Sequence, residues 1–75
     1  RFMRNCLIAA GNAGDDKLIP VVKSYLFHYD PRLRASAVWA LSCYLDGDAL
    51  AALHPAEERD IDVQAEWKTA LNLAD

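Results

Sequence analysis

Three segments of this chain align without a gap at a spacing of 30 residues. They are Met3-Arg4-Asn5-Cys6-Leu7-Ile8-Ala9-Ala10, Leu33-Arg34-Ala35-Ser36-Ala37-Val38-Trp39-Ala40 and Val63-Gln64-Ala65-Glu66-Trp67-Lys68-Thr69-Ala70. Aliphatic residues recur at Met3, Leu33 and Val63, apolar residues at Leu7, Ala37 and Trp67, and alanine at Ala10, Ala40 and Ala70. These positions fall at i, i+4 and i+7, which is one face of an amphipathic helix, so the same buried stripe is written three times. A fixed period of this length is the signature of a stacked repeat. No run alternates with period two over a useful length, so the expected class is all-α with no sheet.

Between the first two copies, Leu18, Val22 and Leu26 form a stripe at i, i+4 and i+8, which predicts a second helix antiparallel to the first. Gly11-Asn12-Ala13-Gly14 separates the two, with Gly14 suited to a left-handed helix end and Asp15 or Asp16 suited to cap the second helix. Pro20 sits near a first turn, where a missing N–H costs least. His28-Tyr29-Asp30-Pro31 ends this helix, because the residue before a proline is steered out of the helical region. Asp30 then caps a third helix running from about Pro31 to Leu45. Asp46-Gly47-Asp48 reads as a turn with a new cap at Asp48, succeeded by a short helix from Ala49 to Leu53. Pro55 and Glu57-Glu58-Arg59-Asp60 interrupt the chain before a last helix from about Ile61 to Leu73. About five helices in paired hairpins predict a short right-handed α-α superhelix, with residues 1–75 as a single repeat domain.

Length and composition agree. A chain of 75 residues holds one small domain, too small for a deep active site. Apolar residues at 53% and charged residues at 25% are the balance of a folded chain, not of a disordered tail. The apolar stretches are too interrupted to span a membrane, so no membrane association is expected. The chain opens on Arg1-Phe2-Met3-Arg4 with no cap before it, and reads as a piece of a longer protein. Cys6 and Cys43 are too few for a disulfide scaffold, which makes a reducing cytoplasm the expected compartment. The formal charge of −3 is divided unevenly: residues 1–34 carry six Lys/Arg against three Asp, and residues 35–75 carry two against eight acidic residues. Such a division suits contact of the N-terminal half with a polyanion, although chance in a short sequence produces it as readily.

The pattern Asp30-Pro31-Arg32-Leu33-Arg34 followed by Ala37-Val38-Trp39-Ala40-Leu41 resembles the HEAT-like repeat. Arg4-Asn5-Cys6-Leu7-Ile8-Ala9-Ala10-Gly11-Asn12-Ala13-Gly14-Asp15, followed by Leu18-Ile19-Pro20, is similar to the C-terminal helical region of the tRNA epoxyqueuosine reductase family. What narrows the resemblance is the R-N and G-N added to an alanine-rich helix ending in G-D. The resemblance implies a parent oxidoreductase acting in queuosine tRNA modification, with two 4Fe-4S clusters and cobalamin held in other domains. It implies for this chain an accessory role, bracing the parent's catalytic domains or helping to position tRNA. No catalytic, cofactor-binding or metal-ligating residue of the family has a position here to be carried onto, so this piece is expected to be no enzyme by itself. A generic HEAT-like protein-interaction module is the alternative.

Individual side chains fit that accessory role. Cys6 and Cys43 lie in or beside helical stripes and read as small buried residues. Two cysteines 37 residues apart provide no closely spaced run of cluster ligands. His28 and His54 stand at helix ends, and no third ligand accompanies them. Trp39 and Trp67 read as core or groove fillers. Ser24, Ser36 and Ser42 fall inside helices, where no nucleophile elbow forms. Gly11-x-x-Gly14 lacks the Lys-Ser/Thr of a phosphate loop. Glu57, Glu58 and Asp60 read as a solvated loop. Arg4 and Arg34 occupy equivalent repeat positions and suit a ladder of ion pairs, with Asp30 one turn before Arg34 as its local partner. Lys17, Lys23 and Arg32 have no partner nearby in sequence, so with Arg4 they are the candidate tRNA-phosphate contacts. The register itself is testable: Ala40→Leu should overpack the core at a cost of about 1 to 3 kcal/mol, and a denaturant melt with an unchanged midpoint would refute it.

Overall fold

Asp30 and Pro31 begin the helix on which the rest is assembled. In the computed structural model, which describes residues 2–72, the Asp30 carboxylate accepts from the Arg32 amide at 2.9 Å and Pro31 occupies the first turn. The described elements are α1 (Phe2–Ala13), a 3₁₀ turn (Asp16–Leu18), α2 (Ile19–Lys23), α3 (Pro31–Ser42), α4 (Gly47–Ala51) and α5 (Ile61–Ala70). There is no strand among the described residues, so the fold is all-α with five α-helices. Every other α-helix packs on α3, with α1 and α5 making its two largest contacts.

The repeat register is realised in the core. Leu33, Val63, Leu7, Ala37, Trp67 and Ala40 are buried in one cluster, and Met3, Ala10 and Ala70 pack against it. The short helices close the same core with Val22 from α2 and Leu50 from α4, joined by Leu26 from the turn after α2. Ser36 is the one buried polar residue among the described residues, and its hydroxyl donates to the Arg32 carbonyl at 2.9 Å.

Local chemistry sets the boundaries, and several differ from expectation. Gly11 and Asn12 do not form a linker, because α1 runs through them to Ala13 and ends at Gly14, whose φ of 68° is left-handed. Gly11 is instead a packing residue. A Cβ placed there would lie 2.5 Å from Trp39 Cζ3 and 3.1 Å from Ala40 Cα, so only glycine admits α3 this closely. The second helix is shorter than its stripe. Ser24 Oγ donates to the Val21 carbonyl, and Tyr25 and Leu26 bond three residues back, so the chain tightens into turns after Lys23. α3 ends at Ser42, not Leu45. The cap of α4 is Asp46, whose carboxylate accepts from the Ala49 amide at 2.8 Å, and Asp48 sits in the first turn, where its charge suits the helix dipole. Asp60 caps α5 by accepting from Asp62 and Val63. That helix ends at Ala70, while Leu73, the expected last residue, lies outside the described residues.

Two long-range ties were not visible in the periodicity. The Tyr44 hydroxyl donates to the Ala10 carbonyl and accepts from the Asp15 amide at 3.2 Å, joining the end of α3 to the end of α1. Arg34 does not pair with Asp30. Its guanidinium meets Glu58 in two bonds of 3.0 Å and donates to the carbonyls of His28 and Tyr29, clamping the turn before α3 to the loop before α5. Gly11→Ala should cost about 1 kcal/mol in urea melts, the strain of overpacking less the gain in helix propensity. In a Trp39→Ala background the cost should shrink, and an equal cost in both backgrounds would place the strain elsewhere.

Candidate nucleic-acid interface

The four candidate phosphate contacts rest on four elements. Arg4 is exposed on α1, Lys17 lies in the 3₁₀ turn, Lys23 is the last residue of α2, and Arg32 stands in the first turn of α3. Arg32 has a partner after all. Its guanidinium bonds the Asp30 carboxylate at 3.3 and 3.1 Å, because the cap places that carboxylate two residues away on the same turn. The Arg32 side-chain hydrogen bond, with its amide, holds the Asp30 carboxyl below the ordinary range, and the same bond raises Arg32. Among the described residues no carboxylate pairs with Arg4, Lys17 or Lys23.

Arg4 and Arg32 line one groove of about 710 Å³ that runs over α3 between α1 and α5. Trp39 and Ala35 lie along its α3 side, and Asp60, Asp62 and Glu66 line its α5 side. With Asp30, the two guanidiniums stand among four carboxylates. Burial pushes the Glu66 carboxyl up, as expected of an acid without a cation beside it. A phosphate entering this groove therefore meets a net negative field. Lys17 and Lys23 do not line it.

The α2–α3 corner carries a feature that helical periodicity does not reveal. Tyr25, His28 and Tyr29 form a run of rings, with centroids 5.7 Å apart in the first pair and 4.4 Å in the second. The last ring is open to solvent, with Tyr29 88% exposed and Phe27 nearby in sequence 71% exposed. The backbone beneath is held, since His28 Nδ1 accepts from the Asp30 amide and Arg34 holds the carbonyls of His28 and Tyr29. The aromatic spacing in Tyr25-Leu26-Phe27-His28-Tyr29 was the only sequence signal for it.

The remaining candidates for chemistry have other occupations. Cys6 and Cys43 are both exposed, not buried: Cys6 lies on the side of α1 away from the core, and Cys43 comes directly after the end of α3. The two are the whole cysteine complement, and no group of three or more His, Cys, Asp or Glu able to hold a metal stands among the described residues. The residues present do not fit an iron-sulfur cluster. Ser24, Ser36 and Ser42 each donate to a backbone carbonyl within their own turn. Trp67 is buried, with the His54 ring 4.7 Å away, and Trp39 packs on Gly11, so both tryptophans are fillers. No described helix is long and apolar enough to cross a membrane. Among known proteins, no family model, no curated sequence and no solved structure matches the chain.

Glu58 is the most constrained acid near this corner, with its side chain 8% exposed against 20% for Arg34. Burial alone would raise its carboxyl, but the Arg34 hydrogen bonds, the Asp60 amide and the Arg34 charge outweigh burial and hold it below the ordinary 4.5. A depressed folded value means the pair's contribution is complete above that ordinary value and is lost as pH falls through the lower one. Glu58→Gln should cost about 1.5 to 3 kcal/mol at neutral pH, and the gap to the parent should narrow in acid. A gap that is constant from about pH 7 to about pH 3 would refute the assignment.

Proposed function

We propose that this chain is an accessory HEAT-like repeat domain, a short right-handed α-α superhelix, in a cytoplasmic enzyme similar to tRNA epoxyqueuosine reductase. On this reading the parent's clusters and cobalamin lie in its other domains, and this piece braces them or helps to position tRNA. The observation that carries it is the contact between Gly11 and Trp39. The glycine belongs to the R-N-x-x-x-A-x-G-N-x-G-D stretch and the tryptophan to the Trp-Ala-Leu stretch, and each explains the other's presence. Two separate pieces of the resemblance thus become one physical joint between consecutive repeats.

Support for an RNA contact comes from the same end of the chain. Lys17 and Lys23 are exposed cations without carboxylate partners among the described residues. Lys23 closes α2 where the corner that presents Tyr29 begins, and an exposed ring is a surface on which an unpaired base stacks. Arg4 and Arg32, set among the groove carboxylates, contribute less.

The experiment has two parts. The whole protein that carries this chain, expressed in a bacterium lacking epoxyqueuosine reductase, should restore queuosine in tRNA, as read by nucleoside mass spectrometry. In that protein Lys17→Glu with Lys23→Glu should raise KM for tRNA by roughly tenfold at low salt and less at high salt, while Arg59→Glu with Lys68→Glu leaves it nearly unchanged. No restored queuosine would leave the generic HEAT-like interaction module as the reading. Restored queuosine with equal effects from both variants would make the domain a brace without an RNA surface.

A further inference from the structure

The 30-residue register assigns each long helix two flanks beside its core face. On α3 the flank toward α1 carries Arg32, Ser36 and Trp39, which line the groove with Arg4 and Ile8, and Trp39 reaches Gly11. On α5 the equivalent positions are Asp62 and Glu66, which line the same groove opposite α3. On α1 the equivalent positions are Phe2, Cys6 and Ala9, with Ala13 one turn further on, at i, i+4, i+7 and i+11 of a single helix face. All four are exposed, Phe2 at 77%, and none is charged. The opposite end of the row differs, since the outer flank of α5 presents Gln64 and Lys68, both exposed and polar. One end of the row is therefore finished for water and the other is not.

We infer that the Phe2, Cys6, Ala9 and Ala13 flank is a docking seam for another helix of the polypeptide that carries this chain, packed on α1 as α1 packs on α3. The seam continues an interface already present twice in the row. Small side chains at Cys6, Ala9 and Ala13 let a second backbone approach closely, as Gly11 does on the other flank, and Phe2 supplies the single large contact. A second copy of the chain is a poorer occupant. Four side chains, two of them alanine methyls, fall far short of the roughly 800 Å² per partner of a stable complex, so the occupant gains from being tethered. The inference rests on the proposed brace only in naming the tethering polypeptide as the parent enzyme.

The two native cysteines report on the seam. In the whole protein, peptide-resolved alkylation should label Cys6 at least tenfold more slowly than Cys43, with equal rates after denaturation and no dependence on protein concentration. Ala9→Arg, which puts a charge in the seam at a position exposed in this chain, should bring Cys6 up to the rate of Cys43 while circular dichroism shows the helices intact. Equal native rates, or no response to Ala9→Arg, would overturn the inference. Protection of Cys6 that vanishes on dilution would overturn it too, by making a second copy the occupant. Queuosine restoration reads the enzyme assignment and the Cys6 rate reads the seam, so each can fail without the other.

Discussion

Because every other α-helix packs on α3, its twelve residues must satisfy neighbours on several sides at once. Leu33, Ser36, Ala37, Val38, Ala40 and Leu41 are all buried there, a spread wider than one amphipathic stripe. That is possible only with small residues at the closest approaches, so Ala37 and Ala40 are fully buried and Gly11 faces Trp39 across the α1 joint. Large residues then fill the gaps further out, with Trp67 from α5 and Leu50 from α4 among the largest fully buried side chains. A small core with little net stability depends on such a shared partner, because no pair of its helices buries enough apolar surface alone.

Polar contacts then fix where each helix begins and how the turns sit on α3. Asp15, Asp30, Asp46 and Asp60 each cap the next helix or turn, satisfying amides that would otherwise be left without partners. Arg34 adds the long tie, since one guanidinium holds both the corner before α3 and the loop before α5 through Glu58. The acidic character of the C-terminal half is thus partly structural. Asp46, Asp60 and Glu58 are engaged in caps and the clamp, while Asp62 and Glu66 line the groove. The exposed pair of Arg59 and Glu57, at 3.4 Å and open to solvent on both sides, adds little to this frame.

The resulting surface is divided in kind. The groove over α3 is lined by carboxylates as well as arginines, the α2–α3 corner offers rings on a held backbone, and the outer flank of α1 is uncharged. A domain with such different faces suits a place between larger parts of a protein, where one face meets protein and another is free for a polyanion. This is the physical content of the accessory role proposed for it.

The helices, their order and the residues that face the core are legible in the amino-acid sequence, because they come from i, i+4 and i+7 spacing and from caps that act within a few residues. Asp30-Pro31, Gly14 and the triple alignment of Met3, Leu33 and Val63 all act locally or by period. Tertiary packing settled everything that depended on partners far apart in the chain. Arg34 chose Glu58, 24 residues away, over the nearer Asp30, and Tyr44 found Ala10 across 34 residues. Gly11 changed from linker to joint because Trp39 arrives from the next repeat, and Cys6 and Cys43 came out exposed because helical spacing cannot say which flank has a neighbour. Periodicity tells a residue its angle around its own helix. Only the packed row tells it what stands on the other side.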